Sequence, residues 1–147
     1  MKNYRFGFSL KGFISFVLIM IPNILWINFP PTNDILLGNN ADNPIFYIVL
    51  NISQWFMIAL LVILINKTNE KRERKFIAAA GLCLAGYYIL WVCYFIGIIN
   101  PWFLIGMALL PSMYFIFVEL WMRNYIAIIP SIVFGIIHIA ITYSNYI

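Results

Sequence analysis

A chain of 147 residues that is 64% hydrophobic and only 10% charged has the length of one domain but not the balance of a water-soluble one. Its net charge of +4 does not indicate nucleic acid, because the basic residues stand at the ends of apolar runs and not along an aromatic-interleaved groove. One histidine and two cysteines, Cys83 and Cys93, offer no Cys/His metal cluster and no CxxC pair; the two thiols sit about 15 Å apart along one helical run, beyond disulfide reach.

The predicted fold is all-α: a polytopic membrane helix bundle forming one domain over 1–147, with five apolar segments each near the roughly 20 residues that cross ~30 Å of hydrocarbon. Lys2, Arg5 and Lys11 precede the first span, 12–29. It reads as retained and not as a cleaved signal, since Ile27-Asn28-Phe29-Pro30-Pro31 is bulky and stiff where a peptidase needs small residues. Pro22 predicts a kink in it.

The loop 30–44 opens and closes on turn chemistry, Pro30-Pro31-Thr32-Asn33-Asp34 and Gly38-Asn39-Asn40-Ala41-Asp42-Asn43-Pro44. Between them Ile35-Leu36-Leu37 is too apolar for water and is expected to fold back onto the bilayer surface or the bundle. A second span, 45–66, leads into the densely charged run 67–75. Asn69 is expected to cap the third span, 76–99, with Glu70 and Glu73 in its first turn, where carboxylates meet the positive helix end. Gly81 and Ala85, with Ala78 nearby, have small-xxx-small spacing and predict a packing surface. Asn100-Pro101 makes the third and fourth spans antiparallel neighbours; Pro111 within the fourth, 102–121, should free the carbonyl of Met107. Met122-Arg123-Asn124 then leads into the fifth, 125–143.

All nine Lys and Arg residues lie in the N-terminal segment, in 67–75 or at Arg123. By the positive-inside rule this places the N-terminus and the 67–75 loop in the cytoplasm and the loop 30–44 and the C-terminus outside, in the plasma membrane. Trp26, Trp102, Trp121, Tyr125, Tyr143 and Tyr146 fall near the predicted interfaces.

In such a chain the informative residues are polar ones whose burial needs a partner. Glu119 and Arg123 are spaced i to i+4 and predict an ion pair at the membrane edge, with a proton or cation site as the functional alternative. His138 falls slightly beyond the midplane on the external side, about 15 Å or more in depth from Glu119, which excludes a direct dyad. At a similar depth lie Asn23 and Trp26 on the first span, Asn51 and Gln54 on the second, and Tyr87, Tyr88, Trp91 and Tyr94 on the third. Tyr87, Trp91 and Tyr94 share one helix face, as do Asn51 and Gln54. Facing inward, they would line an outward-opening pocket of aromatic walls and amides that suits a small-molecule ligand; bridging helices is the plainer role for the same residues.

The first functional expectation is therefore a non-enzymatic, ligand-binding or transport-type membrane protein whose partners are membrane lipids and a small molecule. The second is an accessory protein that partners other membrane proteins or its own copies. The third, an intramembrane enzyme acting on lipid through His138, lacks any Ser-His-Asp, HExxH or paired-carboxylate motif. No catalytic residue, metal, cofactor or nucleic-acid partner is expected.

Overall fold

Each of the five apolar runs contains one long helix, and the residues that start and stop the helices are local and identifiable. The computed structural model describes residues 3–68 and 72–147. Its helices are α1 (Leu10–Asn28), α2 (Pro44–Ile63), α3 (Arg74–Phe95), α4 (Pro101–Met122) and α5 (Tyr125–Tyr146), each long and apolar enough to cross a membrane.

At the start of α1 the Ser9 hydroxyl accepts the Gly12 N–H at 3.2 Å. Asn43 and Asn100 do the same for α2 and α4, accepting from Ile45 and Trp102 at 2.8 and 2.9 Å. In both helices proline follows at the first position, where its missing N–H leaves no bond unmade. α3 differs from expectation. Glu73 occupies its N-cap position without a side-chain cap bond and pairs with Lys75, while the expected cap at Asn69 and the Glu70 carboxylate lie outside the described residues.

The ends of α3 and α4 are chemically alike. Gly97, at φ 84°, wraps the chain back so that its N–H reaches the Tyr94 carbonyl at 3.1 Å and that of Ile98 reaches Cys93 at 2.9 Å. α3 therefore ends at Phe95, short of the expected 99. Arg123 plays the glycine's part at φ 59°, with Arg123 N–H on the Leu120 carbonyl at 3.0 Å and Asn124 N–H on that of Glu119 at 2.8 Å. A side chain at such a φ costs about 1 kcal/mol. Two bonds to the Arg123 carbonyl hold it there, from the Tyr4 hydroxyl at 3.1 Å and the Asn66 amide at 2.8 Å.

The apolar run of α2 does not stay helical to its end. Leu64–Asn66 forms a short strand, β2, antiparallel to β1 (Tyr4–Phe6), with Tyr4 opposite Asn66 and Phe6 opposite Leu64. The N-terminal segment captures the last carbonyls of α2: Gly7 N–H donates to Ile63 at 2.9 Å and Ser9 N–H to Val62 at 2.7 Å.

α4 is the central helix, with half of its most apolar window buried. It packs against α3 on one side and α5 on the other, α2 packs on α5, and α1 touches α2, α3 and α4. α1 reaches α2 through Gly12, where a Cβ would stand 2.1 Å from the Leu61 carbonyl oxygen. α3 and α4 approach through Gly86 and Gly106, where added Cβ atoms would meet Leu110 at 3.1 Å and Leu90 at 2.8 Å. The expected packing surface on Gly81 and Ala85 is not used: both are exposed, because α3 turns the opposite face to α4. Pro22 leaves α1 continuous, and the Leu18 carbonyl that its ring deprives of a donor receives the Tyr88 hydroxyl.

The two ends of the bundle differ in character. One gathers β1, β2, Lys11 and the charged segment before α3; the other is capped by the loop 29–43, with a single 3₁₀ turn at Leu36–Gly38.

Candidate functional site

The loop 29–43 is tied onto the bundle by its polar residues. Asp34 accepts three bonds: from Trp26 Nε1 of α1 at 2.9 Å, from the Tyr94 hydroxyl of α3 at 2.6 Å and from Leu36 N–H at 3.2 Å. A carboxylate in this role makes charge-assisted bonds, stronger than those of a neutral acceptor. Further ties come from α5. Asn39 donates to Thr142 at 3.0 Å and accepts from Asn145 at 3.0 Å, while the Tyr146 hydroxyl reaches the Ile35 carbonyl at 2.7 Å. Ile35 and Leu36 thus pack on the core, so of the two expected resting places for this apolar segment the bundle is the one used.

Beneath the loop lies a cavity of about 200 Å³ to which α1, the loop, α3, α4 and α5 all contribute. Asn23 and Trp26, Tyr87 and Trp91, and His138 line it. Leu36 and Asn39 of the loop, Leu104, Met107 and Ala108 of α4, and Thr142 complete it. A second cavity of about 200 Å³ shares Asn23, Tyr87, Met107 and His138 with the first. It reaches Gln54, Met57 and Phe115 deeper in the bundle. Pro111 lines this deeper cavity and has no N–H to offer the carbonyl of Met107, one turn before it.

Two predicted members stand elsewhere. Asn51 donates to the Tyr47 carbonyl of its own helix at 2.8 Å and lines neither cavity; the three-residue spacing from Gln54 spreads the two side chains enough to part them. Tyr94 is behind the wall: its ring meets Trp91 edge-on at 5.7 Å and its hydroxyl belongs to Asp34.

Within the cavity the polar groups are unevenly satisfied. Asn23 Nδ2 donates to the Tyr87 hydroxyl at 2.9 Å and to Ile19 at 3.3 Å, and the Thr142 hydroxyl to the His138 carbonyl at 2.9 Å. Trp91 Nε1 is buried and meets no acceptor in hydrogen-bond geometry among the described residues. The His138 ring stacks on Phe134 at 5.2 Å, and its nitrogens bond to no described residue. Trp26 packs tilted against Trp91 at 6.3 Å. Among the described residues no charged side chain lines either cavity; Asp34 is engaged one layer out, on Trp26 and Tyr94. The chemistry on offer is aromatic contact and neutral hydrogen bonding.

Glu119 and Arg123 do not form the expected ion pair. Glu119 is fully buried between α4 and α5, Oε1 takes the Ser131 hydroxyl at 2.6 Å, and Oε2 has no partner among the described residues. The reason is the left-handed turn at Arg123, which takes that residue off the helical i+4 face. Ser131 precedes His138 by seven residues, about 10 Å of helical rise. Glu119 and His138 are thus nearer in depth than their positions alone imply, yet still apart. A wider groove of about 540 Å³ between α2 and α5 is lined by residues such as Ile52, Phe56, Ile129 and Val133. Its one hydroxyl, Ser53, is bonded to Val49 and Leu50 of its own helix, so the groove has nothing with which to orient a polar molecule.

Asp34, Asn39 and Thr142 were not among the predicted site residues. Thr142 carried a signal, being one turn from His138 on the same face; the two loop residues read as turn formers only. No protein family model, curated protein or solved structure matches the chain.

Proposed function

We propose that the chain is an integral protein of the plasma membrane, with the N-terminus cytoplasmic and the C-terminus external, that binds a small neutral molecule in the cavity beneath the loop 29–43. It serves as a ligand-binding or transport-type protein and not as an enzyme. The observation that carries this reading is the Trp91 indole N–H, buried beside the Tyr87 hydroxyl but with no acceptor in hydrogen-bond geometry among the described residues, on a side chain that lines the cavity with Asn23, Tyr87 and His138. An unmade hydrogen bond of this kind costs about 1–3 kcal/mol unless something fills it.

Size and charge narrow the class of ligand. About 200 Å³ is below the ~300–1,000 Å³ of sites for drug-sized ligands, which favours a molecule of fragment size. A lining without formal charge favours a neutral one, since an ion would be desolvated without a counter-charge. The basic residues at the opposite end support the orientation, which puts the cavity in the external half.

Native mass spectrometry of protein purified in mild detergent, followed by extraction, tests the reading. Wild-type protein should carry a stoichiometric non-lipid molecule that a Trp91→Ala, His138→Ala variant loses. A correctly folded wild type that carries only lipid, and gains nothing from a library of neutral fragments, would remove the basis for it.

A further inference from the structure

At the end of the bundle away from the cavity, the indole of Trp121 holds two cations at once. Lys11 Nζ and Arg72 Cζ each lie 5.4 Å from the centroid of its ring. Lys11 comes from the first turn of α1 and Arg72 from the segment just before α3, so two distant parts of the chain converge on one side chain of α4. Like charges gathered in this way repel unless an anion lies close by.

The described residues do not supply that anion. Their one ion pair joins Lys75 to Glu73, and neither Lys11 nor Arg72 has a carboxylate partner among them. The first turns of α1 and α3 hold no acidic residue, and the carboxylate at the N-cap of α3, Glu73, is taken by Lys75. Of the carbonyls in the last turn of α4, the other source of negative potential near Trp121, two are engaged: Glu119 accepts from Asn124 N–H and Leu120 from Arg123 N–H. The cation–π contacts place the two charges but neutralise neither.

With the helices in a bilayer, as proposed above, a half-buried tryptophan at a helix end stands at headgroup level. The anion available at that level is the phosphate of an anionic phospholipid. We propose that Lys11, Arg72 and Trp121 form a binding site for such a headgroup, the cations taking the phosphate and the indole edge fixing its depth. The site is independent of the small-molecule cavity and stands or falls without it.

The test uses full-length protein, delipidated in neutral detergent and titrated with phosphatidylglycerol, phosphatidylcholine or inorganic phosphate, with bound species counted by native mass spectrometry. Wild type should retain one phosphatidylglycerol more tightly than phosphatidylcholine. Lys11→Gln and Arg72→Gln should each weaken it about 5-fold, as removal of one surface cation does. Lys67→Gln, which removes a charge that follows β2 and makes no cation–π contact with Trp121, should leave it within about 2-fold. Equal loss in Lys67→Gln, or unchanged binding in both other variants, overturns the site in favour of diffuse attraction. Inorganic phosphate that displaces the lipid at equal concentration overturns the headgroup as the source and leaves a site for free phosphate.

Discussion

Asp34→Ala is expected to detach the first half of the loop 29–43 and to lower stability by about 2–4 kcal/mol, because it removes an acceptor shared by three donors from different parts of the chain. Hydrogen bonds to a charged acceptor are worth about 1.5–3 kcal/mol each, and here the loss also leaves the Trp26 and Tyr94 donors facing a hole. The ties through Asn39 survive in the second half of the loop, while only the Tyr146 bond to Ile35 remains in the first, so amide exchange should rise most over residues 30–37 and least over 39–43. Asp34→Asn should fall between. One amide oxygen can still serve Tyr94 and Leu36, but its NH₂ group is set against the Trp26 N–H, donor against donor. Equilibrium unfolding in mixed micelles and deuterium exchange measure both effects; wild-type exchange over 30–37 in Asp34→Ala would show that the carboxylate does not hold the loop.

Gly12→Ala should be costlier than its one methyl suggests. The added carbon would lie 2.1 Å from a backbone oxygen of Leu61, whose side chain is itself fully buried, so neither a rotamer change nor a local shift relieves the contact. α1 must move away from α2, straining the Gly7 and Ser9 bonds to the end of α2. A loss of about 3 kcal/mol or more is expected, at the upper end of overpacking effects. Gly81→Ala provides the contrast, since nothing lies within 4 Å of its new carbon. Mid-helix alanine is then worth about 0.5–1 kcal/mol in the opposite direction. Equal effects from the two substitutions in reversible unfolding would mean that the helix contact at Gly12 is not as close as described.

These two glycines show where the sequence is informative and where it is silent. Apolar runs of about 20 residues declare five helices, with ends that move by only a few residues. Which face of each helix turns inward is another matter. Gly81 and Ala85 have the spacing of a packing motif, yet the approach of α3 to α4 uses Gly86 and Gly106. On an almost uniformly apolar helix, small-residue spacing specifies a stripe without its direction. β2 was hidden for a related reason. Leu64 and Ile65 continue the apolar run of α2 without a break, and only pairing with Tyr4–Phe6, about 60 residues away, makes them a strand.

The cavity was partly legible because depth in a membrane helix follows from counting residues. Asn23, Trp26, Tyr87, Trp91 and His138 share a depth and a cavity. Asn51 shares the depth without the cavity, because an amide on a helix can bond its own preceding turn. Asp34 was not legible at all. Its partners at Trp26 and Tyr94 are set by the tertiary fold, and an aspartate following Pro-Pro-Thr-Asn reads first as a turn residue. Glu119 failed in the reverse direction: i to i+4 spacing to Arg123 implies a pair only while the helix continues, and here it ends.

The loop latched by Asp34 over a cavity on the proposed external side leads to the most direct measurement. With Cys83 and Cys93 replaced by serine, cysteine is introduced at Met107, which lines both cavities, and cells are treated from outside with a membrane-impermeant maleimide. Val118→Cys, fully buried and outside both cavities, is the control. Met107→Cys should label slowly from the external side and markedly faster when combined with Asp34→Ala, while Val118→Cys stays unlabelled in either background. Labelling of Met107→Cys only from the cytoplasmic side, or none even with Asp34→Ala, would contradict an outward-facing cavity beneath this loop.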